Sequence, residues 1–135
     1  MKYTLFLNFF IFLTLTACDS VPGVSTLLEG GEIDLIPLPA AGFCRDGAVI
    51  VAVRNQGGSD AESSTASVRF SPGGTTEIPT PDVPGGRIAT LPPVTMPAEC
   101  FMPACSVQVN IDIHGDVSES NEENNTADIS CPAPG

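Results

Sequence analysis

The sequence predicts an all-β domain built as an antiparallel sandwich. From residue 32 onward, short runs in which apolar and polar residues alternate are separated by clusters of Gly, Pro and Asn. The chain has thirteen glycines and thirteen prolines, and no window carries the apolar stripe of a helix of useful length. Because alternation buries one face of a strand and exposes the other to water, this pattern favours antiparallel sheets.

Seven strands follow from the pattern, and the first four are short. The first, residues 33–38, contains Pro37, which confines it to a sheet edge. The second and third strands, 48–54 and 64–70, each place three apolar residues on one face. These residues are Val49, Val51 and Val53 in the second strand and Ala66, Val68 and Phe70 in the third. A Pro/Gly/Thr segment then leaves room only for an edge strand at 76–78.

The last three strands are expected at 87–94, 106–113 and 126–131. The sixth is the most regular, because its odd-numbered residues from Val107 to Ile113 are apolar and its even-numbered residues from Ser106 to Asp112 are polar. The seventh directs Ala127 and Ile129 inward. Seven short strands with regular turns are typical of an immunoglobulin-like sandwich. A jelly roll, the alternative along with a closed barrel, needs more strands.

The N-terminus predicts export from the cytoplasm. Lys2 precedes an apolar run at 5–15 that is too short to span a membrane as a helix, and small residues follow it. The tetrapeptide Leu15-Thr16-Ala17-Cys18 resembles the lipobox of bacterial lipoproteins. That resemblance implies a signal peptide at 1–17, lipidation of Cys18, a flexible tether at 18–31 and a folded domain at 32–132. The alternative is an ordinary signal peptide with an incidental cysteine.

The residue after the lipobox bears on which membrane holds the chain. Asp19 resembles the residue that retains lipoproteins at the inner membrane of some enteric bacteria, which would place the domain on the periplasmic face. Because that rule differs between lineages, the leaflet stays open.

Charge excludes several classes of partner. Removal of residues 1–17 takes away Lys2 and leaves four arginines against sixteen acidic residues, a net charge of −12. Such a surface repels nucleic acid and anionic lipid head groups. Attachment to a membrane must then come from the lipid, and the expected partner is an envelope or surface protein whose identity the sequence does not give.

Four further cysteines predict two disulfides outside the cytoplasm. Alternating strand directions place Cys44, Cys100, Cys105 and Cys131 at one end of the sandwich, so three pairings stay open. We favour Cys100–Cys105 across a short turn and Cys44–Cys131 between the start and the finish of the domain. Cys44–Cys105 is the runner-up. A zinc site is disfavoured because the paired C-x2-C spacing is missing.

Three motifs resemble one bacterial domain family. They are Val53-Arg54-Asn55-Gln56-Gly57, the turn Val83-Pro84-Gly85-Gly86, and an acidic hairpin with Glu119, Asn121, Glu122, Asn124 and Asn125. This set is similar to the cell adhesion related domain found in bacteria (CARDB), over roughly residues 32–131. The resemblance implies an immunoglobulin-like sandwich with an adhesive or interaction role.

The acidic hairpin has two interpretations. In the first, Asn55, Gly57 and the Asn and Glu residues of the hairpin shape turns, because Asn tolerates left-handed backbone angles and bonds nearby amides. In the second, oxygen ligands converge on calcium. The candidate ligands are Asp60, Glu62, Asp116, Glu119 and Glu122. No cofactor other than calcium is expected.

The sequence predicts no catalytic centre. His114 stands alone at a hairpin tip, the cysteines are committed to disulfides, and no serine lies in a nucleophile elbow. Asp112 and Asp116 can approach one another, but such a pair on a loop is usually solvated. We therefore expect a membrane-anchored interaction or adhesion module, with a calcium- or small-ligand-binding module and an accessory or inhibitor subunit of another envelope protein as alternatives.

Overall fold

The structure, a computed structural model, describes residues 31–38, 43–101 and 104–132. The predicted signal peptide, Cys18, Asp19 and the tether up to residue 30 lie outside the described residues. Among the residues described, no helix has the length and apolar character needed to cross a membrane.

The chain folds into antiparallel sheets, which confirms the predicted fold class. The strands are β1 (Leu35–Leu38), β2 (Cys44–Arg45), β3 (Ala48–Val49), β4 (Ala52–Asn55), β5 (Ser64–Ser71), β6 (Thr75–Thr80), β7 (Ile88–Thr90), β8 (Val94–Thr95), β9 (Cys105–Asn110) and β10 (Thr126–Cys131). Strands β10, β9, β5 and β6 form a four-stranded sheet in that order, strands β1, β4 and β7 form a second sheet, and β2, β3 and β8 form a third.

Two predicted strands are each divided in the structure. The predicted second strand is split into β3 and β4 around Ile50, whose N–H bonds Phe43 O at 2.8 Å, and β2 is an additional short strand that pairs with β3. The predicted fifth strand is split into β7 and β8, because Pro92 and Pro93 remove backbone donors between them. A 3-10 helix at Ala98–Phe101 precedes β9.

The sixth strand ends earlier than predicted. It stops at Asn110, and Asp112 has a φ of +50°, which turns the chain out of the strand. The prediction that Asp112 points to solvent is wrong, since this residue is only 5% exposed. Ile113, expected in the core, is half-buried because the strand has already ended.

The core lies between the sheets and is aliphatic. Its members come from the predicted alternating faces: Val49, Val51, Val53, Ala66, Val68, Phe70, Val107, Val109 and Ile111 are all buried. Leu35 of β1 is fully buried as well. Because β1 is an edge strand, its packing against this core depends on the residues that bond its outer edge.

The cysteines gather at one end of the sandwich. The structure joins Cys44 to Cys131 and Cys100 to Cys105, the two pairs favoured from the sequence. Cys105 and Cys131 are register partners at one end of the β9–β10 strand pair. At the other end of these two strands, Asn110 pairs with Thr126. The loop between β9 and β10 therefore lies at the pole opposite the disulfides.

Candidate functional site

The motif residues converge on the start of β1 at the pole opposite the disulfides. Register pairs Leu35 with Asn55, and Gln56 N–H bonds Asp34 O at 2.8 Å. Hydrogen bonding alternates along an antiparallel strand, so Leu35 N–H points away from β4 toward the outer edge. The loop between β9 and β10 lies along that edge.

Asn55 connects three segments from a buried position. Its Oδ1 accepts hydrogen bonds from Gly57 N–H at 3.0 Å and Asp34 N–H at 3.3 Å, and its Nδ2 donates to Ser59 O at 2.8 Å and Val83 O at 2.9 Å. The side chain is 0% exposed. The Asn55 side chain thus joins the start of β1 to the loops after β4 and before β7.

Gly57 and Gly85 are required by close backbone approach. A Cβ on Gly57 would lie 1.8 Å from Glu32 O, and one on Gly85 would lie 2.3 Å from Gly58 O. Both distances are far below van der Waals contact, and the atoms met are backbone atoms that cannot rotate away. Gly57 therefore lets the loop after β4 pack against residue 32, and Gly85 lets the loop before β7 pack against the loop after β4.

The acidic hairpin holds the other side of β1. Ser120 N–H bonds Ile33 O at 2.8 Å, and the Ser120 hydroxyl donates to the same carbonyl at 3.2 Å. Glu119 Oε2 accepts the Leu35 N–H, and Asn124 Nδ2 donates to Asp34 Oδ1 at 2.9 Å. The hairpin therefore provides the outer edge of β1 with hydrogen-bond partners in place of a neighbouring strand.

Three carboxylates meet inside this hairpin. One oxygen from each of Asp112, Glu119 and Glu122 lies within 4.8 Å of the others. Asn125, only 8% exposed, donates from Nδ2 to Glu119 Oε1 at 2.9 Å and to Glu122 Oε2 at 3.4 Å. We call these four residues the acidic cluster.

Each carboxylate oxygen of the acidic cluster already accepts a hydrogen bond. Asp112 accepts from Asp116 N–H and Val117 N–H, both at 3.0 Å, which closes the turn after β9. Glu122 Oε1 accepts Glu119 N–H at 3.0 Å. These bonds support the turn-forming interpretation, since the same carboxylates fix the backbone of the hairpin.

Burial raises the pKa of the Glu119 carboxyl above its ordinary value. The hydrogen bonds from Leu35 N–H and the Asn125 amide lower this pKa, and the neighbouring charges of Glu122 and Asp112 raise it. Removal of a carboxylate from water disfavours its charged form, and like charges add to that effect. A proton or a cation would therefore be stabilised at this position.

The donor set of the acidic cluster fits a hard divalent cation. Carboxylate oxygens and amide carbonyls are the ligands that calcium takes, and each carboxylate oxygen has a second lone pair beyond the bond it accepts. Asn125 Oδ1 is buried and has no hydrogen-bond partner within the described residues. Rotation of this amide would place a carbonyl oxygen among the three carboxylates.

The calcium ligands expected from the sequence fall into two groups. Glu119 and Glu122 belong to the acidic cluster, whereas Asp60, Glu62 and Asp116 line a neighbouring depression beside Ile33 and Val117. Asp60 Oδ1 also accepts Gly85 N–H at 3.0 Å. Asn121, expected to shape the turn, accepts Glu123 N–H at 3.1 Å.

Asp112 is the cluster member that the sequence analysis missed. Alternation along the sixth strand placed it on the wet face, because the strand was extended to Ile113. The signal that marks the true end is the polar and glycine-containing stretch from Asp112 to Asp116, since Asp adopts positive φ more readily than most residues. His114 is exposed, and it joins no group of metal-ligating side chains in the ranges that the structure describes.

Comparisons with known proteins identify relatives by family and by fold. The sequence model of the CARDB family matches residues 45–128, which contain the motif after β4 and the whole acidic hairpin. No curated protein matches the chain.

Two solved structures resemble the fold. A solution structure of a domain from a cell surface protein of Methanosarcina acetivorans is 19% identical, with a TM-score of 0.62, and the match covers 76% of this chain and 93% of that one. The CARDB domain of a Pyrococcus furiosus protein, crystallised in complex with di-metal ions, is 18% identical, with a TM-score of 0.56 and coverage of 76% and 90%.

Proposed function

The chain belongs to the CARDB family, and we propose that it is an extracytoplasmic interaction or adhesion module, without catalytic activity, that is anchored to a membrane through lipid on Cys18. The observation that carries the proposal is the way two of the family motifs, residues 53–57 and the acidic hairpin, hold the start of β1 by hydrogen bonds. In a lipidated chain, β1 follows directly on the tether. The motif loops would then secure the domain at the point where tension from the membrane enters it.

The hydrogen bonds at this point suit a mechanical attachment. Ile33, Asp34 and Leu35 are bonded on one side by Asn55 and Gln56 and on the other by Glu119, Ser120 and Asn124. At the far end of the sandwich, the Cys44–Cys131 disulfide links β2 to the last strand. A module that resists pulling from its tether can hold a partner while it remains attached to a membrane.

The anchoring is tested by Cys18→Ser. The unmodified chain is expected in the membrane fraction and the variant in the soluble extracytoplasmic fraction, with unchanged circular dichroism. Ala17→Gly, which keeps a small residue before the cysteine, is the matched control and should stay with the membrane. Recovery of Cys18→Ser in the membrane fraction would remove the lipid anchor from the proposal.

The interaction role is tested with a photo-crosslinking amino acid placed at exposed positions in living cells. We expect at least one position on a sheet face or edge to give a discrete higher-mass adduct with an envelope protein. Absence of adducts from every exposed position would contradict an interaction module.

The acidic cluster supports a second candidate function, calcium binding. The specific observation is the convergence of Asp112, Glu119 and Glu122 beside the amide of Asn125, whose unpartnered Oδ1 would face them after rotation. Binding of calcium would neutralise like charges in a chain whose net charge is −12 once residues 1–17 are removed. It would also stabilise the fold, since a ligand that binds only the native state raises its stability.

Thermal unfolding in calcium and in chelator tests this second function. With calcium at a hundred times its dissociation constant, the free energy of unfolding should rise by roughly 2.7 kcal/mol. Glu122→Gln should abolish that increase, whereas Glu123→Gln, the adjacent exposed carboxylate outside the cluster, should leave it intact. Equal midpoints in calcium and in chelator would leave the acidic cluster a purely structural feature.

A further inference from the structure

We propose that the open edge of β7, together with the groove beside it, binds an extended segment of the partner protein in which acidic residues flank an apolar side chain. This inference rests on the proposed interaction function and names the surface and the partner chemistry. It uses the side of the sandwich where β6 and β7 are the edge strands, away from the acidic cluster.

The outer edge of β7 presents backbone groups that nothing in the described ranges pairs with. Asn55 N–H bonds Arg87 O at 2.9 Å and Leu91 N–H bonds Val51 O at 2.8 Å. Alternation between these two bonds directs the N–H and C=O groups of Ile88 and Thr90 away from β4. No described strand follows β7 in its sheet, so an added strand would find these donors and acceptors free.

This edge exposes one large apolar side chain. Ile88 is 58% exposed, the larger value of the two exposed large hydrophobic residues in the described part of the chain. Its backbone and side chain together offer what an incoming strand needs, since main-chain bonds provide affinity and alternate side chains provide specificity.

A groove of about 530 Å³ continues from this edge toward β6. Its walls are mostly apolar and include Pro79, Pro81, Leu91 and Pro92. The rigid prolines lack N–H groups, so the walls offer few competing donors. The groove has the size and the apolar walls to accept one side chain of a bound segment.

One unpartnered hydroxyl lies at the groove. Thr80 lines the groove and is only 1% exposed, yet its Oγ1 has no hydrogen-bond partner among the residues described. Buried polar groups are nearly always satisfied, and rotation of the Thr80 side chain would let a polar atom of a bound segment satisfy this one.

The charge at this edge selects an acidic segment. Arg54 is the register partner of Ile88, and Arg87 directly precedes it. Both are exposed, and neither forms a salt bridge within the part of the chain that the structure describes. Two of the four arginines thus lie beside the free edge of a domain whose 14 acidic residues far outnumber them, so that carboxylates repelled by the rest of the surface would be attracted there.

The test uses two dye-labelled peptides with the same centre, Thr-Val-Thr-Val-Thr, extended at both ends by Asp-Asp or by Lys-Lys. Their fluorescence anisotropy is measured against the full lipidated chain in nanodiscs, with empty nanodiscs as the blank. The Asp-flanked peptide is expected to bind. The double variant Arg54→Ser with Arg87→Ser should lower its affinity about tenfold. Arg69→Ser, an exposed arginine on β5 of the other sheet, is the matched control and should not weaken it.

A backbone variant separates strand addition from simple charge attraction. Thr90→Pro removes an N–H that points outward, so the pairing of β7 with β4 is retained. This variant should also lower the affinity for the Asp-flanked peptide about tenfold. No binding of that peptide, or equal affinity for all the variants, would overturn the proposal. Dimerisation of the chain that Thr90→Pro abolishes would also overturn it, because the occupant would then be a second copy.

The failure of this surface can be distinguished from the failure of the interaction function. With the photo-crosslinker at Thr90 and, separately, at exposed Ser130 on β10, adducts from Thr90 support the proposal. Adducts from Ser130 alone would retain the interaction function and reject the β7 edge. Absence of adducts from all exposed positions would reject the interaction function itself.

Discussion

Asn55 shows how one buried amide can hold three parts of the chain together. Its four hydrogen bonds reach Asp34, Gly57, Ser59 and Val83. A sequence motif that ends a strand with Asn therefore has a physical reason, since only an amide offers a carbonyl acceptor and two donors in so small a side chain.

Substitution of Asn55 by Ala is expected to destabilise the domain by about 3 kcal/mol, because it leaves buried backbone groups without partners. Gln56→Ala is the matched control. Its exposed side chain makes one bond to Asp34, and its loss should cost less than about 1 kcal/mol. Urea denaturation followed by circular dichroism measures both, and equal losses would contradict the role assigned to Asn55.

Glu119 makes stability depend on pH. Its folded pKa is raised above the unfolded value, so the folded state takes up this proton before the unfolded state does. As the pH falls from neutral through the folded pKa of Glu119 toward about 4.5, this group alone should increase the free energy of unfolding. Below the unfolded pKa the contribution is constant.

The measurement is the free energy of unfolding at several pH values for the parent chain, Glu119→Gln and Glu123→Gln. Glu119→Gln should lose the stabilisation that accompanies the fall in pH, since the amide does not titrate. Glu123→Gln should retain it, because Glu123 is exposed and lies outside the acidic cluster. Parallel pH curves for the parent chain and Glu119→Gln would contradict the raised pKa.

At the scale of elements, alternation predicted the bounds of two strands closely. The seventh strand was predicted at 126–131 and is observed at Thr126–Cys131. The third was predicted at 64–70 and is observed one residue longer, at Ser64–Ser71. Each pairs with β9 in the same four-stranded sheet. In both, one face meets the core, so the hydrophobic pattern alone determines the register.

Other strands end at positions that the alternation of apolar and polar residues does not reveal. β9 ends at Asn110 because Asp112 takes a positive φ, and its carboxylate then bonds two N–H groups of the following turn. β1 is shorter than predicted because hydrogen bonds from loops take the place of strand pairing at Ile33. A local turn decided the end of β9, and a partner distant in sequence decided the start of β1.

The acidic cluster was predictable in part for the same reason. Glu119 and Glu122 stand in a recognisable hairpin motif, and their spacing places them on one turn. The role of Glu119 also depends on Leu35, which lies 84 residues earlier in the chain. No local pattern reveals that its carboxylate serves as the partner of an edge-strand N–H.

Over the whole molecule, the two ends of the sandwich differ in how they are held together. One end has two disulfides, and the other has acidic loops that are joined to the start of β1 by hydrogen bonds. The disulfide end resists separation of the strands covalently. The acidic end can respond to protons or cations, because its charges repel one another when nothing neutralises them.

Removal of each disulfide should reveal this division of roles. In the chain-entropy account, a cross-link stabilises in proportion to the logarithm of the loop it closes. The Cys44–Cys131 pair is separated by 87 residues and the Cys100–Cys105 pair by 5. Cys44→Ser with Cys131→Ser should therefore cost roughly 4 to 5 kcal/mol, and Cys100→Ser with Cys105→Ser about 2 kcal/mol.

Urea denaturation of the two double variants, each with its remaining disulfide oxidised, measures the difference. A larger loss from the short loop would show that packing around Cys100, which is fully buried, outweighs chain entropy. A larger loss of stability on removal of Cys44–Cys131 would show that this link between β2 and β10 restricts the conformational freedom of the unfolded chain. In that case loop closure, and not packing around the buried sulfurs, accounts for the difference between the two disulfides.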